Sequence, residues 1–251
     1  MEPDLFHQEP QKEHKKAIVV GASSGMGKEL VKILVKKGYN VGITGRREHL
    51  LKELKEAYPG RIFYKAFDIR DLSKTTRSIR ELIKNLDGLD LLVLSSGVGF
   101  LNEELDTEPE FQTIDTNITA FTDIMTFTFR HFQKHPPGHL VGLTSIAALR
   151  GNKSAPAYNA SKAYQSNYLE GLRQKSRNQK LKITVSDIRP GFVATDMAKG
   201  EKLFWAASPE KAAVQIYRAI RRKRKIAYIS KRWGLFALML KIAPRWMYDL
   251  F

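Results

Sequence analysis

Lys16-Ala17-Ile18-Val19-Val20-Gly21-Ala22-Ser23-Ser24-Gly25-Met26-Gly27 is the stretch that decides the fold. Lys16 to Val20 is a short apolar strand pattern that stops at Gly21. From Lys28 to Lys37 the apolar residues Leu30, Val31, Ile33, Leu34 and Val35 then recur at helical spacing. Glycines between a strand and a helix permit a tight turn and let backbone N–H groups approach phosphate oxygens, and the helix N-terminus adds a partial positive charge. The turn therefore reads as a dinucleotide seat, although its spacing is not the common Gly-x-Gly-x-x-Gly.

The same alternation continues outward from this unit. Strand patterns lie at Asn40 to Thr44, Arg61 to Phe67, Leu89 to Leu94, His139 to Thr144, Ile183 to Ile188 and Ile226 to Ile229. Helical patterns separate them at about Glu48 to Tyr58, Leu72 to Asn85, Pro109 to Gln133, Pro156 to Arg177 and Pro209 to Arg222. Seven strands joined by helices predict an α/β fold, a doubly wound parallel sheet with helices on both faces, which is a Rossmann fold. One catalytic domain is expected over residues 16–230, preceded by a loose arm at 1–15 and followed by an amphipathic tail at 231–251.

The chain has 251 residues, 43% of them hydrophobic, enough for one full core. It has no cysteine, which excludes disulfides, thiolate nucleophiles and cysteine metal sites and fits a reducing cytoplasm. Met1 to Lys16 has no apolar h-region, and the most apolar run, Trp233 to Ala243, is interrupted by Lys241 and followed by Pro244, so neither a secretory signal nor a spanning helix is expected. A formal charge of +16 favours anionic partners: cofactor phosphates, acidic lipid or nucleic acid. The densest run, Arg221 to Lys225, reads as a solvated helix end, and no zinc-finger or RNA-binding signature supports nucleic acid. His131 and His135 are spaced like ligands on a helix but lack a third ligand and a general-base glutamate, so no metal site is expected.

The candidate chemistry lies in Tyr158-Asn159-Ala160-Ser161-Lys162, with Ser145 upstream. Tyr158 and Lys162 are four apart and share a helix face. A phenol of ordinary pKa near 10 needs tuning to exchange protons near neutrality, and a nearby ammonium is expected to lower it. Ser145 ends the fifth strand, at the sheet edge where open α/β folds bind ligands. It lacks the Gly-x-Ser-x-Gly elbow of a hydrolase nucleophile.

Taken with the glycine turn, these residues resemble the classical short-chain dehydrogenase/reductase (SDR) family over about Lys16 to Ile229. The resemblance implies a catalytic tetrad of Asn117, Ser145, Tyr158 and Lys162, with Tyr158 as general acid/base. It also implies that Lys162 holds the nicotinamide ribose, and that Asn117 supports a water path for protons. It further implies cofactor contacts from Gly21, Ser23, Ser24, Gly25, Met26 and Gly27, from Asp68 and Ile69, from Ser96 and Gly97, and from Pro190, Gly191, Val193 and Thr195. Two positions depart from the family pattern: Leu94-Ser95-Ser96-Gly97 replaces Asn-Asn-Ala-Gly, and Val20 replaces a threonine.

The second strand ends in Thr44-Gly45-Arg46-Arg47 without the acid that would bind the ribose hydroxyls of NAD, so NADP(H) is expected over NAD(H), with Arg46 the first candidate for the phosphate and Arg47 the second. The expected activity interconverts an alcohol and a carbonyl. The alternative is a cofactor-binding regulatory or scaffold protein that has lost turnover. Asp196 to Ser208, with Met197, Leu203, Phe204 and Trp205, is a candidate lid for an apolar small-molecule substrate or a segment packed on the core. The tail reads either as a helix lying on anionic lipid or as packing over the pocket or a subunit interface. The resemblance implies a homodimer or homotetramer built partly through the helices carrying Asn117 and Tyr158.

Overall fold

The computed structural model of the chain describes residues 14–194, 206–242 and 244; the expected arm up to residue 13, Thr195, the greater part of the candidate lid and the end of the tail lie outside them. The strands are β1 (Lys15–Val20), β2 (Tyr39–Gly45), β3 (Ile62–Ala66), β4 (Leu91–Leu94), β5 (Gly138–Leu143), β6 (Ile183–Pro190) and β7 (Ile226–Ile229). The helices are α1 (Gly25–Lys36), α2 (Glu48–Ala57), α3 (Leu72–Asn85), α4 (Thr107–Ile114), α5 (Phe121–Lys134), α6 (Pro156–Asn178), α7 (Pro209–Arg221) and α8 (Arg232–Ile242).

The strands form one parallel sheet in the order β3-β2-β1-β4-β5-β6-β7. Alternating side chains of β1 show how it is held: Ala17 and Val19 join a core with Leu30, Leu34, Leu51 and Ile216 on one face. Ile18 and Val20 join a core with Ile79, Leu82, Ile124 and Leu169 on the other. Each fully buried Leu or Ile contributes roughly 1.5–3 kcal/mol, so both helical layers are fixed to the sheet. The order in which strands are added switches sides between β1 and β4, which opens a crevice at their carboxyl ends.

Three local features depart from the sequence reading. Helix α1 starts at Gly25, before Lys28, because extended Ser24 precedes it as N-cap and the last two glycines of the turn form its first turn. The single helix expected from Pro109 to Gln133 is divided into α4, a π-helical turn at Asp115–Ala120, and α5. A π turn shifts the register by one residue without disturbing the apolar spacing on either side, so periodicity does not reveal it. Residues Arg232–Ile242, set apart from the catalytic domain as a tail for which a helix was one reading, form α8 and pack against β7. The cationic run after α7 is exposed, as a solvated helix end, where positive charge complements the helix dipole.

His139 is buried at the start of β5, with Nε2 2.8 Å from Ser186 Oγ on β6. The Ser186 hydroxyl spends its one proton on the Arg224 carbonyl at 2.6 Å, so it accepts from His139 and the Nε2–H tautomer is assigned. Burial, aided by the charge of Lys223, pushes the imidazole down to about 4 from its ordinary 6.5. Because the folded value lies below the unfolded one, this contribution to stability is complete above pH 6.5 and is lost as pH falls through about 4. His139→Gln keeps the donor and removes the titration. Thermal melts across that window are expected to show a shallower acid slope for the variant, by up to roughly 3 kcal/mol; identical slopes would refute the assignment.

Candidate active site

The glycine turn sits at the end of β1, pinned by Gly21 and Ala22 N–H groups that donate to the Thr44 carbonyl of β2 at 3.0 and 2.9 Å. Gly21 has φ +87°, and a Cβ there would lie 2.5 Å from Ser96 Oγ; one on Gly27 would lie 2.0 Å from the Gly21 carbonyl. Side chains are thus excluded where the turn meets α1 and the β4 end. Ser95 and Ser96 N–H groups both donate to the Val20 carbonyl, at 2.8 and 3.0 Å. The backbone floor of the seat is therefore intact although its side chains depart from the family pattern. Met26 packs against the core beneath the turn.

The two arginines after β2 behave differently. Arg47, the second candidate, reaches back over the turn: its Nη2 donates to Ser23 Oγ at 3.1 Å and also to Ser24 Oγ. The charge of Arg46, the first candidate, acts instead on Asp68. Arg70 holds the Asp68 carboxylate through Nε at 3.1 Å and Nη2 at 2.7 Å, and its own backbone N–H donates there as well. These hydrogen bonds keep the Asp68 carboxyl below its usual range. Three guanidinium groups thus surround this end of the crevice. Arg70 was not foreseen from sequence; its two-residue spacing from Asp68 was the available signal. Ile69 is buried in the second core, and its carbonyl accepts from Thr75 Oγ1 at 3.1 Å.

Asn117, Ser145, Tyr158 and Lys162 converge beside the ends of β4 and β5. Ser145 ends the β5 segment and caps a short 3-10 turn at Ile146–Leu149, its Oγ accepting from the Ala147 N–H at 3.1 Å. That leaves its proton free for an oxygen in the crevice, and the Ser145 hydroxyl acts to lower the Tyr158 phenol. The Asn117 side chain grips the loop after β4, exchanging bonds of 2.9 and 2.7 Å with the Val98 N–H and C=O, and donates to Ser161 Oγ at 3.0 Å. Ser161 in turn donates to the Tyr158 carbonyl at 2.7 Å. Gly97 lies against both Asn117 Oδ1 and Lys162 Nζ.

Lys162 is 4% exposed, and its Nζ lies 5.7 Å from the Tyr158 ring centroid. The ammonium donates to Gln165 Oε1 at 3.0 Å and to the Leu143 carbonyl at 3.4 Å. Gln165 Nε2 then donates to the Asn117 main-chain carbonyl at 2.8 Å. The amide of Gln165 therefore spans the gap between Lys162 and Asn117. Gln165 follows Lys162 by three, a spacing that could have flagged it.

Burial pushes Lys162 down to about 8, opposed by the charge of Asp187. Burial also raises the Tyr158 phenol above its ordinary 10, opposed by the Ser145 hydrogen bond. Desolvation is the larger effect on Tyr158, and the Ser145 hydroxyl is what opposes it. Asp187, fully buried on β6, accepts from Thr144 Oγ1 at 2.6 Å and from Arg189 Nε at 2.7 Å, so a paired carboxylate stands directly behind Ser145. Pro190 sits past the last β6 residue paired with β5, where its missing N–H interrupts no ladder, and the Gly191 N–H donates to the Ile229 carbonyl at 2.6 Å. Val193 is buried and bridges Ala207, which ties together the two sides of the segment containing Thr195.

These features agree with known proteins. The short chain dehydrogenase family profile matches residues 15–203. An uncharacterized oxidoreductase of Myxococcus xanthus is 34% identical over 189 residues, covering 73% of this chain and 74% of that protein. A probable NADP-dependent dehydrogenase of Haemophilus influenzae is 30% identical over 179 residues, covering 70% of each. The crystal structure of a short chain dehydrogenase/reductase from Burkholderia phymatum in complex with NAD shares the fold at a TM-score of 0.80 and 17% identity, over 90% of this chain and 92% of that one. The chain belongs to the short-chain dehydrogenase/reductase family and is an NAD(P)-dependent oxidoreductase acting on CH–OH and C=O groups.

Proposed function

We propose that the chain interconverts an alcohol and a carbonyl on an apolar small molecule using NADP(H), with Tyr158 as the group that gives and takes the proton. The observation that carries this reading is the bonded cluster of Asn117, Ser145, Tyr158 and Lys162 beside the glycine turn. The seat fits a dinucleotide: a turn with no room for a side chain at Gly21 and Gly27 opens onto the N-terminus of α1, and Arg47 flanks it. When bound, the nicotinamide supplies or accepts the hydride.

Each remaining step belongs to this chain's side chains. Ser145 holds and polarises the substrate oxygen with the proton left free by its capping bond. Tyr158, whose phenol burial raises further above neutrality, donates its proton to that oxygen during reduction and recovers one during oxidation. The Lys162 ammonium places a positive charge beside the developing phenolate and hydrogen-bonds the nicotinamide ribose. Gln165 and Asn117 position that ammonium rather than exchange protons with substrate. Exposed Phe100, Leu101 and Phe192 beside this cluster favour an apolar substrate. The family resemblance favours a homo-oligomer built partly through the helices carrying Asn117 and Tyr158, and the cysteine-free chain suits a reducing cytoplasm.

The preference for NADP(H) rests on Arg47, held over the turn by Ser23 and Ser24, with Arg46 beside it. A guanidinium there pairs with a ribose phosphate through charge-assisted hydrogen bonds.

Tyr158→Phe keeps the ring and deletes the transferable proton. Turnover, followed as nicotinamide absorbance with a panel of ketones and aldehydes that the wild type reduces, is expected to fall by about 10²–10⁴-fold. Cofactor affinity should hold, and near-wild-type turnover would refute the role. Arg47→Ala should lower kcat/KM for NADPH by roughly 10–100-fold while leaving NADH nearly unchanged; equal losses with both cofactors would sink the phosphate assignment. Because Lys162 is protonated below about 8, reductive kcat/KM should fall as pH rises through that value. A profile flat between pH 7 and 9, roughly a unit either side, would count against an essential ammonium.

A further inference from the structure

Helix α8 is apolar on two sides. Its inner side is packed: Trp233 and Ala237 are buried, and the Leu240 carbonyl accepts from Arg150 Nε at 2.9 Å. Trp233 occupies the space a Cβ on Gly191 would take, and meets Phe192 edge to face at a 5.5 Å centroid separation. The outer side is a stripe at i, i+3, i+4 and i+7, and none of it is covered: Leu235 is 69% exposed, Leu238 56%, Met239 57% and Ile242 73%. A monomeric surface rarely keeps such a continuous stripe without a partner.

Charge around the stripe identifies that partner. Lys231 and Arg232 stand at the start of α8, no acid lies in its first turn, and the helix dipole disfavours positive charge at this end. With Lys211 and Arg218 of α7 and Ser230 they line a cleft of about 460 Å³. Ser230 Oγ is buried and has no protein partner. Four cations beside an exposed apolar stripe match the two layers of an anionic bilayer surface, phosphate outside and acyl chain beneath.

We infer that α8 lies in the surface of an anionic membrane, with Leu235, Leu238, Met239 and Ile242 in the acyl boundary and Lys211, Arg218, Lys231 and Arg232 on lipid phosphates. Helix α8 also packs on Gly191 and Phe192 at the edge of the crevice. Docking therefore places the mouth of the site at the bilayer, where an apolar substrate is concentrated.

The test is flotation of the purified full-length chain with vesicles of phosphatidylcholine, with and without phosphatidylglycerol, in the absence of substrate and cofactor. Binding is expected only with phosphatidylglycerol and should weaken as salt rises. The Leu235→Ser, Leu238→Ser and Met239→Ser variant should lose at least about tenfold of it. Lys211→Glu with Lys231→Glu should lose more than about thirtyfold, since each cation contributes about 1 kcal/mol and each reversal also adds repulsion. The Lys231 reversal favours the helix dipole, so loss of binding by a variant with wild-type circular dichroism is not unfolding. Absence of binding at low salt, full binding by the serine variant, or a wild-type dimer that the serine variant converts to monomer would each overturn the proposal. Because no turnover is measured, failure here leaves the oxidoreductase reading standing, and an inactive chain that still floats leaves the docking standing.

Discussion

Burying the Lys162 ammonium is the constraint around which the active end of this molecule is arranged. An isolated charge taken out of water is costly unless hydrogen bonds and opposite charge replace its hydration. Here the Leu143 carbonyl and Gln165 Oε1 accept from it, and Asp187 supplies the opposing charge. The first needs α6 packed on the end of β5; the last needs a buried carboxylate on β6 that is itself satisfied by Thr144 and Arg189. Gln165 can serve only if its own amide has an acceptor, and that acceptor is the Asn117 carbonyl. In a regular α-helix this carbonyl would be committed to an N–H four residues on. Here it lies within the π turn at Asp115–Ala120, and a carbonyl's second lone pair is enough to take the Gln165 amide.

The same dry surroundings set both proton-bearing groups, in opposite directions. Desolvation disfavours whichever form is charged, so the phenol rises and the ammonium falls. Near neutrality the result is a protonated Tyr158 next to a charged Lys162, the pair of states that suits protonation of a carbonyl oxygen. At the other end of the crevice the field comes from arginines that remain charged whatever their burial. Tuning is therefore confined to the end where protons move.

Much of this was legible in the chain because the patterns that make the fold are local. The glycine turn, seven strand segments and the Tyr158 to Lys162 spacing each follow from residues close in sequence, and the sheet assembled as expected. What escaped depends on contacts between distant segments. Arg46 and Arg47 are adjacent and chemically alike, and only the path of the chain after β2 sends Arg47 to Ser23 and leaves Arg46 beside Asp68. Nothing around Asp187 in sequence sets it apart; its meaning comes from Thr144, 43 positions away. The upward push of burial on Tyr158 was not legible for a related reason, since a neighbouring cation is visible in sequence and the extent of burial is not.

The tail was ambiguous in sequence because its apolar residues are too many for one face. Both readings offered for it, packing over the pocket and contact with an external surface, invoke the same residue types, and composition cannot separate them. The structure divides them by face: Trp233 and Ala237 turn inward, while Leu235, Leu238, Met239 and Ile242 turn outward. The inward face has a mechanical consequence. Trp233 wedges against Gly191, whose N–H is already fixed to β7 at the Ile229 carbonyl, so the Pro190 to Phe192 segment is held from two sides. Any force that repositions α8 acts first on that segment, immediately before Val193, where the chain bridges to Ala207 at the base of the candidate lid. A partner covering the outer face would therefore bear on the crevice through one tryptophan, without touching the tetrad.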